Sequence, residues 1–274
     1  MRPAQIHSAQ IRSAQIRSAQ IRSAQARWTP ILWGAVLPLL LLGSWQVITS
    51  LHVVPAYRLP SPTEVFHAAT DLSQRGLLWN DIAISTQRVL LGFVFGSIIG
   101  LALGALVGLS RLGSRLLAPT VGAFRAVPSL AWVPLLILYL GISEDEKVIL
   151  ITIGAFFPVY TTVSGALRHV DRQLVELGQA FGLRRLQLLL TVQLPAVIPT
   201  VVSGLRLALA QAWLFLVAAE IIAASVGLGF LLTDSQNNGR IDRLFLAIIL
   251  LAVLGKLTDS LIGLLERYLL TRWS

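Results

Sequence analysis

Val89–Leu109 reads VLLGFVFGSIIGLALGALVGL, holds no charged residue and repeats glycine at every fourth position: Gly92, Gly96, Gly100, Gly104 and Gly108. Spanning a bilayer as a helix takes roughly 20 mostly apolar residues. A helix is required because lipid offers backbone N–H and C=O groups no partner. The run meets both demands. Its glycines fall on one slowly drifting helix face, which lets a second helix approach closely in lipid.

Five further apolar runs extend the pattern: Ile31–Leu51, a run within Val127–Leu140 that Pro128 and Pro134 distort, Val148–Leu167, Ile198–Ala223 and Leu244–Leu265. The fold class is therefore all-α, a polytopic membrane protein with six transmembrane helices. Composition agrees. Of 274 residues 55% are hydrophobic and 13% charged, with a mean hydropathy of +0.75. A soluble domain carries about 25% charged residues, so these charges are too few to make a soluble surface.

The absence of cysteine removes disulfides, thiolate metal sites and cysteine nucleophiles. His7, His52, His67 and His169 are scattered, and none makes a metal-ligand spacing. A net charge of +9 raises nucleic acid as a partner. In a membrane chain the simpler reading is Arg and Lys retained on the cytoplasmic side, so no nucleic acid partner is expected. With the N-terminus inside and the runs alternating, fourteen of the 22 basic residues fall inside and six outside, with Arg206 and Lys256 within spans. Both termini are then cytoplasmic.

Residues 1–30 form a basic tail built on the pentapeptide Ile-Arg-Ser-Ala-Gln, read as disordered. A period of five advances about 140° around a helix, so Ile6, Ile11, Ile16 and Ile21 make no stripe. Contact of Arg12, Arg17, Arg22 and Arg27 with anionic membrane lipid is the alternative. The remainder, 31–274, is one transmembrane domain. Within it Ser61-Pro62-Thr63-Glu64 is a helix start, with Ser61 as N-cap and Glu64 closing a capping box. That helix is expected to end near Gly76.

The polar segment 168–195 reads as two short helices broken at Gly182, the first capped by Asp171 and the second ended by Leu194-Pro195. Its core is Glu176-Leu177-Gly178-Gln179-Ala180-Phe181-Gly182, nine residues, then Val192-Gln193-Leu194-Pro195. Here the chain resembles the binding-protein-dependent permeases of ATP-binding-cassette importers. These carry Glu-Ala-Ala, three residues, Gly, nine residues, Ile, one residue, Leu-Pro on the cytoplasmic side. Glu176, Gly182, Leu194 and Pro195 match, Val192 stands for Ile, and Leu177 and Gly178 depart from Ala-Ala. The resemblance covers about 31–274. Arg125-Ala126-Val127-Pro128-Ser129-Leu130-Ala131-Trp132, Ala219-Glu220 with Gly227-Leu228-Gly229-Phe230, and Leu254-Gly255-Lys256-Leu257-Thr258-Asp259 look like the sulfonate, taurine and nitrate branch, closest to aliphatic sulfonate permeases.

The resemblance implies a transporter of a small anion across the inner membrane, with a MetI-like six-helix fold. Its partners would be ATPase subunits, a periplasmic or lipid-anchored binding protein and a second permease copy. It implies that Glu176, Leu177, Gly178, Ala180, Phe181, Gly182, Val192, Leu194 and Pro195 dock on the ATPase. No Gly-x-x-x-x-Gly-Lys-Ser/Thr loop is present, so no enzymatic activity and no cofactor are expected, ATP being bound by the partner. An ion-driven secondary transporter is the other class, but repeated halves of the kind common there are not evident.

Charged residues inside spans usually face protein or water. Lys256 and Asp259, three apart, are expected to pair on one helix face. Candidates for the translocation pathway are Arg125, Trp132, Tyr160, Trp213 and Glu220, set against packing or an interfacial belt for the aromatics. Glu220 repels an anion and is better read as a gate or packing element.

Overall fold

The structure, a computed structural model, describes residue 34, residues 36–55 and residues 57–273. The repeat tail lies outside them. The chain divides into two compact units, Met1–Val65 and Phe66–Ser274.

In the first unit α1 (Val36–Ser50) is a short apolar helix with Leu37, Leu39, Leu40 and Leu41 exposed, as lipid contact requires. Ser61 and Glu64 form the expected capping box. The Ser61 N–H donates to the Glu64 carboxylate at 2.6 Å, and the Glu64 N–H donates to Ser61 Oγ at 3.2 Å. They open α2 (Pro62–Gln74), within which the boundary between units falls.

The second unit is built on α3 (Leu77–Leu109), α6 (Glu144–Arg168), α9 (Leu194–Ala223) and α11 (Ile241–Trp273), the last two separated by the short α10 (Leu228–Asn237). All four carry segments long and apolar enough to cross a membrane. The glycine stripe of α3 lies against α6. A Cβ added at Gly92, Gly96, Gly100, Gly104 or Gly108 would come within 2.5–2.9 Å of α6 atoms, near Ile151, Ala155, Val159, Val163 and Leu167 in turn. Both series ascend by four, so the two helices are parallel. Gly154 against Phe215 and Gly204 against Thr162 bring α9 equally close in the opposite sense. In their most apolar stretches α6 and α9 are 44% buried within the chain and α11 only 11%, so the first two form the centre.

Three expectations change. The second span begins at Leu77, well before Val89, and so includes Arg88, which the charge count had placed in an outside loop. Val127–Leu140 does not make a span by itself. It belongs to a bent pair, α4 (Arg111–Ala126) followed at 86° by Ser129–Leu140, which ends in α5 (Val133–Leu140), in the form of a broken span or a re-entrant loop. Pro128 forces the bend, because the residue before a proline avoids helical backbone; Val127 has φ −73° and ψ 124°. α4 turns back along α3, with Gly113 against Leu106 and, further on, Thr120 lining the same cleft as Ile99. Residues 127–140 alone are too short, and Arg111, Arg115 and Arg125 lower the hydropathy of α4 below that of a span. Among the described residues there are thus four uninterrupted spans, a fifth if the bent pair counts as one, and the shorter α1.

The third change concerns Leu194-Pro195. They do not end the second short helix of 168–195. α8 (Arg185–Leu188) passes through a π turn, Leu189–Gln193, directly into α9. The Leu194 N–H donates to the Leu189 carbonyl, five residues back. A widened turn gives the proline ring the room that an α-helical turn denies it, so the helix continues.

Candidate functional site

Segment 168–195 is a knob at one end of α6 and α9. Asp171 caps α7 (Arg172–Ala180) by accepting the Gln173 N–H at 2.8 Å. The helix ends on Gly182 at φ 76°. There the Leu183 N–H donates to the Gly178 carbonyl at 3.1 Å and the Gly182 N–H to the Gln179 carbonyl at 2.9 Å. This pair of bonds is a Schellman turn, which needs a left-handed residue at Gly182. No atom would crowd a Cβ there, so only backbone conformation demands the glycine.

The two departures from the family pattern acquire reasons. A Cβ on Gly178 would collide with the Leu188 side chain and sit near Leu183 and Val192, so Gly178 lets the two arms of the knob close. Leu177 points away from that contact. With Leu174 and Phe181 it forms an exposed stripe at spacings of three and four, Phe181 being 78% exposed. Glu176, also exposed, pairs with Arg172 one turn back at 2.7 Å. Ala180 ends α7, while Val192 lies in the π turn and Leu194 and Pro195 open α9.

A second constellation joins the start of α3, the start of α6 and the end of α9. Glu220 is fully buried. Its carboxylate accepts from Arg88 at 2.7 Å, from Ser85 at 2.8 Å and from the Gly229 N–H at 2.7 Å. Arg88 also forks onto Glu144, with both bonds at 2.6 Å, and donates to the Val226 carbonyl at 2.8 Å. Asp81 and Ser85 accept the N–H groups of Gly227 and Leu228. Gly227 has φ 127°, and a Cβ there would strike the Glu220 carboxylate. The separate motifs Ala219-Glu220 and Gly227-Leu228-Gly229 are thus one structure. Sequence reasoning missed Arg88, Ser85 and Asp81, although the spacing of 81, 85, 88 and 92 along one helix face was a usable signal.

The five pathway candidates do not all converge on one place. Glu220 packs in the node just described. Trp213 is buried in the chain and donates to Thr258 Oγ1 at 3.0 Å, tying α9 to α11. Tyr160 is buried and stacked on Phe156, ring centroids 5.6 Å apart. Trp132 meets Phe124 at 5.8 Å beside an apolar cleft of about 430 Å³ that Phe156 also lines. Arg125 is exposed on the last turn of α4. Lys256 lies 3.6 Å from Asp259, whose nearer partner is Arg206, forked onto it with both bonds at 2.8 Å. Arg206 also reaches Glu266 at 3.4 Å, so this cluster links α9 to α11 across two helices, where one had been expected.

Comparison with known proteins matches this architecture. Two solved chains of an inward-facing MetNI methionine ABC transporter share the fold. One superposes with a TM-score of 0.62 at 23% identity, over 70% of this chain and 96% of its own. A putative aliphatic sulfonates transport permease of Bacillus subtilis is 40% identical over 88% of this chain and 87% of its own. Its Escherichia coli counterpart is 42% identical over 87% and 90%. The taurine transport permease of Escherichia coli is 31% identical over 85% and 86%. Residues 92–270 match the family of binding-protein-dependent transport system inner membrane components, and the chain belongs to that family as a multi-pass permease of an ABC importer.

Proposed function

We propose that this permease imports aliphatic sulfonates across the inner membrane. Two copies would form the pathway, an ATPase subunit would dock on each 168–195 knob, and a periplasmic or lipid-anchored binding protein would deliver the solute. ATP hydrolysis belongs to the separate subunit, and this chain is not an enzyme. One observation supports the docking assignment above others. The Leu174, Leu177 and Phe181 stripe is apolar and exposed on a turn whose shape Gly182 dictates. Burying three such side chains at an interface is worth several kcal/mol. The sulfonate assignment is supported by relatives at 40% and 42% identity named for that solute, against 31% for the taurine permease. In this reading both termini are cytoplasmic.

The test is growth of a deletion strain of the native host. It should fail on alkanesulfonates as sole sulfur source and grow normally on sulfate. Normal growth on both refutes the sulfonate assignment. Uptake that persists after ATP depletion and stops when the proton gradient is collapsed refutes ATP coupling.

A further inference from the structure

The cleft between α3, α4 and α6 is walled by Ile99, Phe124, Trp132, Phe156, Thr120 and Thr152, among others. The two threonine hydroxyls are satisfied by their own helices, Thr120 on the Leu116 carbonyl at 3.4 Å and Thr152 on the Val148 carbonyl at 2.8 Å. The walls therefore ask nothing polar of an occupant. Such a cavity favours hydrocarbon.

Beside it stands a charge that lipid cannot accept cheaply. α4 turns back on α3 with Gly113 against Leu106, and its Thr120, Val121 and Phe124 line the cleft together with Ile99. Arg125 follows at once on the last turn of α4, about 18 Å along that helix from Gly113, beside the apolar stretch of α3. Arg125 is exposed, and among the described residues it has no hydrogen-bond or ion-pair partner. A guanidinium in such a place faces protein or water in preference to acyl chains. It lies one helical turn beyond Val121, itself part of the cleft wall, so it sits at the rim of the same face.

A cation at the rim of a dry aromatic cleft is complementary to one kind of small molecule, an anion with a hydrocarbon tail. We propose that the cleft takes the alkyl chain of the transported sulfonate while Arg125 meets its anionic head, making this the part of the permease that reads chain length. The inference rests on the sulfonate assignment above. About 430 Å³ accommodates a chain of several methylenes.

The experiment measures uptake of radiolabelled methanesulfonate and octanesulfonate by cells of the native host carrying chromosomal variants. Each ratio is referred to wild type, so that selection by a binding protein cancels. Thr120→Phe fills the cleft and should lower octanesulfonate uptake relative to methanesulfonate by at least about tenfold, since each methylene kept from apolar surroundings counts separately. Trp132→Leu enlarges the cleft and should move the ratio the other way; it serves as the readout if Thr120→Phe does not reach the membrane. Arg125→Gln should lower uptake of both sulfonates, with Arg125→Lys restoring part of it. Ratios unchanged in both cleft variants, at normal membrane abundance, overturn the inference and leave the sulfonate assignment standing. Absence of any sulfonate uptake by wild type overturns the two together.

Discussion

Replacing Arg88 with leucine tests the buried node most directly. The Arg88 side chain is 5% exposed and its partner Glu220 is 0% exposed. In Arg88→Leu the Glu220 carboxylate keeps Ser85 and the Gly229 N–H but loses its only cationic partner within the described residues. Removing one member of a buried pair costs about 3–5 kcal/mol, because the remaining charge is left uncompensated. At about 2–4 °C per kcal/mol for a chain of this order of size, the melting temperature should fall by roughly 6–20 °C. The assay is thermal unfolding of the purified protein in detergent, followed by helical circular dichroism. The companion variant is the double change Arg88→Leu with Glu220→Gln. The glutamine amide carries no charge, and its carbonyl still accepts from Gly229, so the double variant should be more stable than Arg88→Leu alone. Such non-additivity is the signature of direct coupling. A single variant melting within about 2 °C of wild type, or a double variant less stable than the single, refutes the node as an electrostatic tie.

Gly182→Val should insert normally but lose uptake and ATPase co-purification, because φ 76° costs a β-branched residue about 1–3 kcal/mol and opens the turn; wild-type uptake would remove the docking assignment. Glu176→Ala should be milder, since its pair with Arg172 is exposed and worth about 0.3–0.5 kcal/mol; uptake as low as in Gly182→Val would give Glu176 a larger role. Gly100→Leu drives a side chain into Val159 and Phe156 and should sharply reduce membrane abundance, whereas Gly255→Leu, with nothing within 4 Å, should not; equal abundance in immunoblots would contradict the close packing of α3 on α6. Deleting residues 1–26 should leave uptake near wild type, because the repeat has no periodicity that could pack; lost uptake at normal membrane abundance would give the tail a function.

The glycine stripe was legible because both partners in the contact are periodic. Gly92 to Gly108 meet Ile151 to Leu167 with the same repeat of four, and a period survives in one sequence without its partner being known. The turn at Gly182 was legible for a local reason, since the residues that cap it lie within a few positions. Arg88 was legible only as sharing a helix face with Asp81, Ser85 and Gly92, and its partners were not. Counting charges at the edge of an apolar run assigns them to loops, and only the fold brings α6 and α9 to meet it. α4 was hidden by its three arginines, which depress its hydropathy below that of a span. The continuation through Pro195 was hidden because proline normally stops a helix, and the π turn that rescues it leaves no mark in composition.

That π turn has a mechanical consequence. From Leu189 to Ala223 the chain is a single rod of 35 residues, about 52 Å long. One end carries the arm of the knob that packs against Gly178, and the other carries Glu220, clamped by Arg88. No loop interrupts the rod to absorb a displacement. If the ATPase docks as proposed, a push at the knob would be delivered as translation or torque at the Glu220 end, with the widened turn at the base and Pro199 as the joints along the way. On the other arm, His169–Asp171 join α6 to α7 as a three-residue turn, with the His169 N–H bonded back to the Gly165 carbonyl and Val170 packed on the core. The knob is therefore joined to α9 by continuous helix and to α6 by a short turn, two linkages of different kind.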